Sequence, residues 1–264
     1  VTTLPPLNSS LFDSSVFIEE SSIDIYKVGQ NFSTAPRQTA DWAVNVSLAL
    51  RSASPFHHPS LILSIPELNL QSERLLVSPI NGSAIDAEWV NAVWRIPDNV
   101  PQRWYPHNLG KPKLYNLTVT LELSNMSSIK SVSFATTIGF RTIQLVQSPY
   151  SQQDVSGRGI TPGDQWHFKI NGKAFYSKGT NIIPFDPFYS RIKPEAVRWI
   201  LESAVKSGQN MVSLNDLTFN IYWSISQHPY CSSEYGVVVY INRRIRLLLG
   251  DYTTSTPSAM SSAS

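Results

Sequence analysis

Trp42-Ala43-Val44-Asn45-Val46-Ser47-Leu48-Ala49-Leu50 sets a large apolar residue at every second position, with small or polar residues between. Successive side chains of a strand point to opposite faces, so this spacing buries one face and wets the other. Leu61, Leu63 and Ile65 repeat the pattern, as do Tyr115, Leu117, Val119, Leu121 and Leu123. Short strands broken by Pro, Asn and Gly predict an antiparallel, immunoglobulin-like β-sandwich over residues 21–145. The chain has one cysteine, Cys231. No internal disulfide can join the sheets, so hydrophobic packing must hold them. A lone cysteine without a motif is either a reactive thiol or incidental, and nothing around it favours the thiol role.

The 264 residues allow one large domain or two ordinary ones. Charged residues make up 15% and the net charge is +2, without the clustered basic face that nucleic acid requires. No apolar run is long enough to span a membrane, so neither nucleic acid nor membrane is an expected partner. Six Asn-x-Ser/Thr sequons begin at Asn8, Asn31, Asn45, Asn81, Asn116 and Asn125. A glycan is bulky and hydrated, so its asparagine belongs on a turn or a solvent-facing strand position. Asn45 and Asn116 fall on the polar sides of their strands. Six such sites point to a secreted glycoprotein, the alternative being a surface that is merely rich in Ser, Thr and Asn. Val1-Thr2-Thr3-Leu4-Pro5-Pro6 is neither a basic nor an apolar leader, so the expectation is that the natural beginning lies upstream.

Residues 1–20 are rich in Pro and Ser and read as a connecting segment from a preceding domain. Residues 146–165 lack apolar periodicity and read as a linker. The pattern then changes. Trp166–Ile170 and Ala174–Lys178 flank Asn171-Gly172, the strongest short hairpin signal. Pro194 suits the first position of a helix, and Val197, Ile200, Leu201, Ala204 and Val205 make one apolar stripe. Gly208 is placed to end that helix, and Asn210-Met211 to start another strand. Strand, helix, strand is the opening of an α/β unit.

Two stretches carry a resemblance. Trp104-Tyr105-Pro106-His107-Asn108-Leu109-Gly110 through Tyr115, followed by Ile138-Gly139-Phe140-Arg141-Thr142-Ile143, resembles the sandwich domain of glycoside hydrolase family 2. Trp166–Gly172, Phe175–Asn181 and Ile183-Pro184-Phe185-Asp186-Pro187-Phe188 resemble the start of that family's barrel, in its secreted fungal β-mannosidase branch. The resemblance covers roughly residues 20–211. It implies a mainly β chain: an immunoglobulin-like sandwich, the truncated start of a (β/α)8 barrel at 166–211, and an irregular tail at 212–264. It further implies an enzyme that removes terminal β-linked mannose from oligosaccharides with retention. Retention needs two carboxyls about 5–5.5 Å apart and no cofactor. The family's two glutamates lie on later barrel strands. Glu195, Glu202 and Glu234 match neither motif, so no catalytic residue is assigned and the chain alone is expected to be inactive.

After Met211 the family continues Leu-Arg-(Ile/Val)-Trp-Gly-Gly-Gly, whereas this chain reads Val212-Ser213-Leu214-Asn215. Val212-Ser213 is encodable by the splice donor GTAAGT, and Cys231-Ser232 by a splice acceptor. Removing the intervening bases shifts the frame, and suitable codons for Ser232 through Asn242 then give Leu-Arg-Ile-Trp-Gly-Gly-Gly-Val-Tyr. Residues 212–264 are therefore expected to be intron read-through followed by out-of-frame coding, the alternative being a genuine substitute domain.

Asn181 and Asp186 follow the first barrel strand, at the end where barrel enzymes build their sites. They are the candidate substrate-binding residues, with loop capping as the other reading. Arg141 reads as a domain-interface or strand-edge charge. His57, His58, His107, His167 and His228 show no metal-ligand spacing, so no metal is expected. Trp42, Trp89, Trp94 and Trp104 suit core or interface packing better than sugar stacking. Two other readings stand beside the mannosidase: a non-catalytic, secreted carbohydrate-binding or adhesion module, and another family-2 enzyme. The stretch at 166–188 speaks against the module, which has no use for it, and Ile182-Ile183-Pro184 speaks against β-galactosidases and β-glucuronidases.

Overall fold

A computed structural model describes residues 16–31, 34–82, 86–125, 128–182, 191, 193–214 and 238–241. Its first half is two facing antiparallel sheets. One sheet has the order β1 (Val16–Lys27), β2 (Trp42–Ser52), β6 (Glu88–Ile96). The other is built on β3 (Ser60–Ile65), which pairs with β4 (Leu70–Gln71), β5 (Leu75–Leu76) and β7 (Tyr115–Asn125), while β7 pairs in turn with β8 (Ser128–Ile138).

The alternation in the sequence is what closes the two sheets on each other. Trp42, Val44, Val46, Leu48 and Leu50 of β2 are buried in one cluster with Leu61, Leu63 and Ile65 of β3 and alternate residues of β7 from Tyr115 to Leu123. Val90, Ala92 and Ile96 of β6 join it. Each fully buried Leu or Val contributes about 1.5–3 kcal/mol relative to exposure, which is how the sandwich holds without a disulfide. Phe140 caps the core, edge-on to both Trp42 and Tyr115 at 5.4 and 5.8 Å. β1 already starts at Val16, inside the stretch expected to be a connector, because Val16-Phe17-Ile18 supplies enough apolar, β-favouring surface to pair with Leu50–Ser52.

A third, smaller sheet has β10 (His167–Ile170) at its centre, between β9 (Ile143–Val146) and β11 (Lys173–Phe175). The expected hairpin is present: Asn171 and Gly172 both take positive φ, 49° and 78°, the pair of left-handed residues that a two-residue turn needs. The stretch between β9 and β10 is more ordered than its composition suggests. It holds a short helix, α1 (Gln152–Arg158), whose first turn is capped by the Ser151 hydroxyl accepting from the Asp154 N–H. No residue of α1 is buried, so it left no apolar periodicity to read.

The last unit is parallel. β12 (Gly179–Ile182) pairs with β13 (Met211–Leu214), and α2 (Pro194–Lys206) lies between them in sequence. Pro194 opens α2 and Gly208 follows it with φ 80°, as the sequence predicts. Regular structure also enters the stretch expected to be an irregular tail. β13 runs to Leu214, and β14 (Val238–Ile241), a β-branched and aromatic run, pairs parallel to it. The rest of that stretch lies outside the described residues.

Candidate functional site

The strand carrying Asn181 is positioned by backbone contacts that leave no room for a side chain. A Cβ on Gly179 would stand 2.4 Å from the Met211 carbonyl oxygen, so β12 and β13 approach as closely as they do only because residue 179 is glycine. Asn210, fully buried, straps the same place. Its Oδ1 accepts from the Lys178 N–H at 2.9 Å and its Nδ2 donates to the Tyr176 carbonyl at 3.1 Å. Its own N–H donates to the Lys178 carbonyl. The sequence marked Asn210 only as the start of a strand; no local pattern announces a side chain whose partners lie more than thirty residues back. Asn181 itself is exposed, next to Ser213 across the parallel pair. Asp186, the other candidate, lies outside the described residues.

A polar network ties the β9–β10–β11 sheet to the sandwich. Lys27 is fully buried; its ammonium pairs with Asp98, donates to the Ala40 carbonyl at 2.8 Å and sits 3.5 Å above the Trp42 ring. Burial pushes the Lys27 pKa down, against the pull of Asp98. Burial raises Asp98, but hydrogen bonds from Lys27 and Arg103 outweigh it and hold the carboxyl below its ordinary value. Arg103 bonds Asp98 at 2.9 Å and reaches both the side-chain and backbone oxygens of Gln38. Gln38 Nε2 donates to Thr142 Oγ1 at 3.1 Å. Thr142 meets Asn171 in the β10–β11 turn, and Asn171 Nδ2 donates to the Trp104 carbonyl at 2.9 Å. Trp104, completely buried, packs with Phe168, Ile170 and Phe175 of the small sheet, and Arg141 stacks 4.4 Å from its ring. Arg141 is thus an interface charge, as expected. His107 adds a further tie, its Nε2 at 2.6 Å from the Gln209 carbonyl.

The glutamates of α2 face solvent. Glu195 is exposed, and Glu202 is engaged by Arg198 at 3.0 Å and Lys206 at 4.0 Å on its own helix. Among the described residues no group of three or more His, Cys, Asp or Glu side chains could hold a metal ion, and no helix is long and apolar enough to cross a membrane. Of the four tryptophans read as packing residues, Trp42 and Trp104 are fully enclosed and Trp94 is half-buried. Trp89 is the exception, exposed on the outer side of β6. The sequons differ in setting. Asn81 and Asn116 are exposed and each donates from Nδ2 to a carboxylate, Glu88 and Glu67 respectively. Asn31 is also exposed, Asn45 is half-buried on β2, Asn125 ends β7, and Asn8 lies outside the described residues.

The chain is thus a sandwich joined through a small sheet to a parallel strand–helix–strand unit. The β-D-mannosidase of Dictyoglomus thermophilum superposes with a TM-score of 0.58 over 86% of this chain and 24% of its own, at 18% identity. A β-glucuronidase of Parabacteroides merdae superposes at 0.53 over 85% and 23%, at 12% identity. No protein-family model matches the chain. Among curated proteins, β-mannosidase A of Aspergillus aculeatus is 34% identical over 198 residues, 75% of this chain. The Aspergillus niger protein of the same name is 32% identical over 199 residues, again 75% of this chain. Over three-quarters of its length, then, the chain belongs with the β-mannosidases of glycoside hydrolase family 2. It spans about a fifth of the length of the relatives it matches.

Proposed function

We propose that this chain supplies the sandwich and the first strand–helix unit of a secreted, glycosylated, retaining β-mannosidase that releases terminal non-reducing β-D-mannose from oligosaccharides. The observation that carries this is the 34% identity to β-mannosidase A across both the strand-rich half and beyond it, 198 residues in all. Asn181 is assigned to a sugar hydroxyl, supported by its exposure on β12, and Asp186 is assigned with it by its place in the same sequence motif.

The chain alone is not expected to cleave. Retention requires a nucleophile and an acid/base carboxyl about 5–5.5 Å apart across a sugar. Glu195 is exposed, and Glu202 is held in ion pairs with Arg198 and Lys206 on the same helix. The test is release of nitrophenol from an aryl β-mannoside by the purified chain. No release is expected; turnover abolished by a mannose-type inhibitor would refute the reading. We assign residues 212–264 to intron read-through and shifted coding, supported by the departure from the family pattern after Met211 at a Val212-Ser213 pair that a splice-donor sequence can encode, with Cys231-Ser232 encodable by an acceptor. Transcript sequencing across that junction tests it: a spliced message supports the assignment, and a mature message that only ever retains the bases removes it.

A further inference from the structure

We propose that Asn45 carries an N-linked glycan that folds back onto the outer face of the β1–β2–β6 sheet and covers the surface bounded by Val93 and Trp89. The proposal rests on the secretory reading above and extends it to one attachment site and its contact.

The face is set by register. Asn45 stands on the central strand, flanked by Asp24 on β1 and Val93 on β6, and Ala49 farther along β2 lies beside Trp89. Residues 43, 45, 47 and 49 all point away from the core filled by Trp42, Val44, Val46, Leu48 and Leu50. Ala43, Ser47 and Ala49 are too short to rise above the backbone, and larger neighbours on both sides leave them nearly inaccessible. The central strand is therefore the floor of a shallow trough. One wall is β6, where Val93 is 43% and Trp89 54% exposed, with exposed Asn91 between them on the same face. Asn45 is itself part-exposed, yet its Oδ1 is enclosed and unpartnered, so the part of the amide that meets solvent is not that oxygen. Nδ2 is the atom a glycan requires.

The chemistry is an ordinary sequon transfer. A lipid-pyrophosphate-linked oligosaccharide is transferred whole: Nδ2 gives up a proton and bonds C1 of its first sugar as the C1–O bond breaks and the lipid pyrophosphate leaves. Ser47, buried in the folded sheet, is available only before β2 pairs, which places the transfer ahead of folding. Once the sheet forms, four residues of strand separate Asn45 from Ala49, about 13 Å. That is the reach of a short oligosaccharide lying along β2. Its hydrophobic sugar faces then cover Val93 and the Trp89 ring, while its hydroxyls face water.

The test is secretion of the whole chain from a eukaryotic host, with site-resolved glycopeptide mass spectrometry and timed endoglycosidase treatment of the native protein. Asn45 is expected to be occupied, and its glycan to be released about tenfold more slowly than those on Asn81 and Asn116. Trp89→Ala, a surface change that leaves the core intact, is expected to bring the Asn45 rate up to theirs. Glycans on Asn81 and Asn116 with Asn45 bare would overturn the proposal but spare the secretory reading. Equal release rates that ignore Trp89→Ala would overturn the contact. A product bare at every sequon would overturn both.

Discussion

Asn171 and Thr142 are joined by a reciprocal pair of hydrogen bonds, each 2.9 Å: the Asn171 N–H donates to the Thr142 carbonyl, and the Thr142 N–H donates to Asn171 Oδ1. The same Asn171 side chain spends its Nδ2 on the Trp104 carbonyl. One amide thus closes a turn, satisfies a buried donor and anchors the loop that carries a core tryptophan.

Asn171→Ala removes the acceptor for the buried Thr142 N–H and the donor to Trp104, and leaves φ 49° to a residue without the amide that lets asparagine tolerate the left-handed region. Each stranded buried group costs about 1–3 kcal/mol, so a loss of about 3 kcal/mol is expected. Asn171→Gly relieves the backbone but not the hydrogen bonds and should recover only part of it. Urea unfolding midpoints of the two variants check this.

Lys27→Met keeps volume but leaves Asp98 without its buried ammonium. Removing one partner of a buried pair typically costs about 3–5 kcal/mol; Arg103, still bonded to Asp98, should hold the loss to about 3. Lys27→Met combined with Asp98→Leu removes the stranded charge and is expected to be milder than the single change. A double-mutant cycle by thermal or urea unfolding measures the difference.

Asp98 also sets an acid limit. Its folded-state pKa lies below the ordinary value, so it contributes stability that is fully present above the unfolded-state pKa. That stability is lost as pH falls through the folded-state pKa, because protonation breaks the bonds from Lys27 and Arg103. The unfolding free energy should therefore drop below about pH 4. Asp98→Asn should be less stable at neutral pH and show a flatter slope in that acid window. Denaturant titrations at a series of pH values decide the point; an unchanged slope would sink it.

Gly179→Ala places a Cβ against the Met211 carbonyl oxygen and must push β12 from β13. Overpacking of this kind costs about 1–3 kcal/mol. The loss should be local: hydrogen exchange of backbone amides in 179–182 and 211–214 should speed up, while those of β2 and β7 stay protected. Uniform acceleration across the sandwich would contradict this.

What the sequence disclosed and what it hid divide along physical lines. The facing rows of β2, β3 and β7 were legible because a core imprints period two on every strand that borders it. The Asn171-Gly172 turn was legible because few residues accept paired positive φ. Lys27 was not. A lysine in a half-polar strand reads as solvated, and its carboxylate partner is 71 residues away. Helix α1 was hidden because it buries nothing and rests on one serine cap. Asn181 was legible as a position and silent as a role, since a single exposed amide beside a strand end serves a loop as readily as a sugar.

β9 was read in the sequence as the tail of the sandwich, with a boundary at 145, yet it pairs along its length with β10. Trp104, from a sandwich loop, is core for that same small sheet. A protease cut or gene fusion placed at that boundary would not liberate a portable module. It would clip the end of β9, part it from its partner β10 and leave an indole facing water. Any division of the chain has to keep the small sheet, through Phe175, with the loop that carries Trp104.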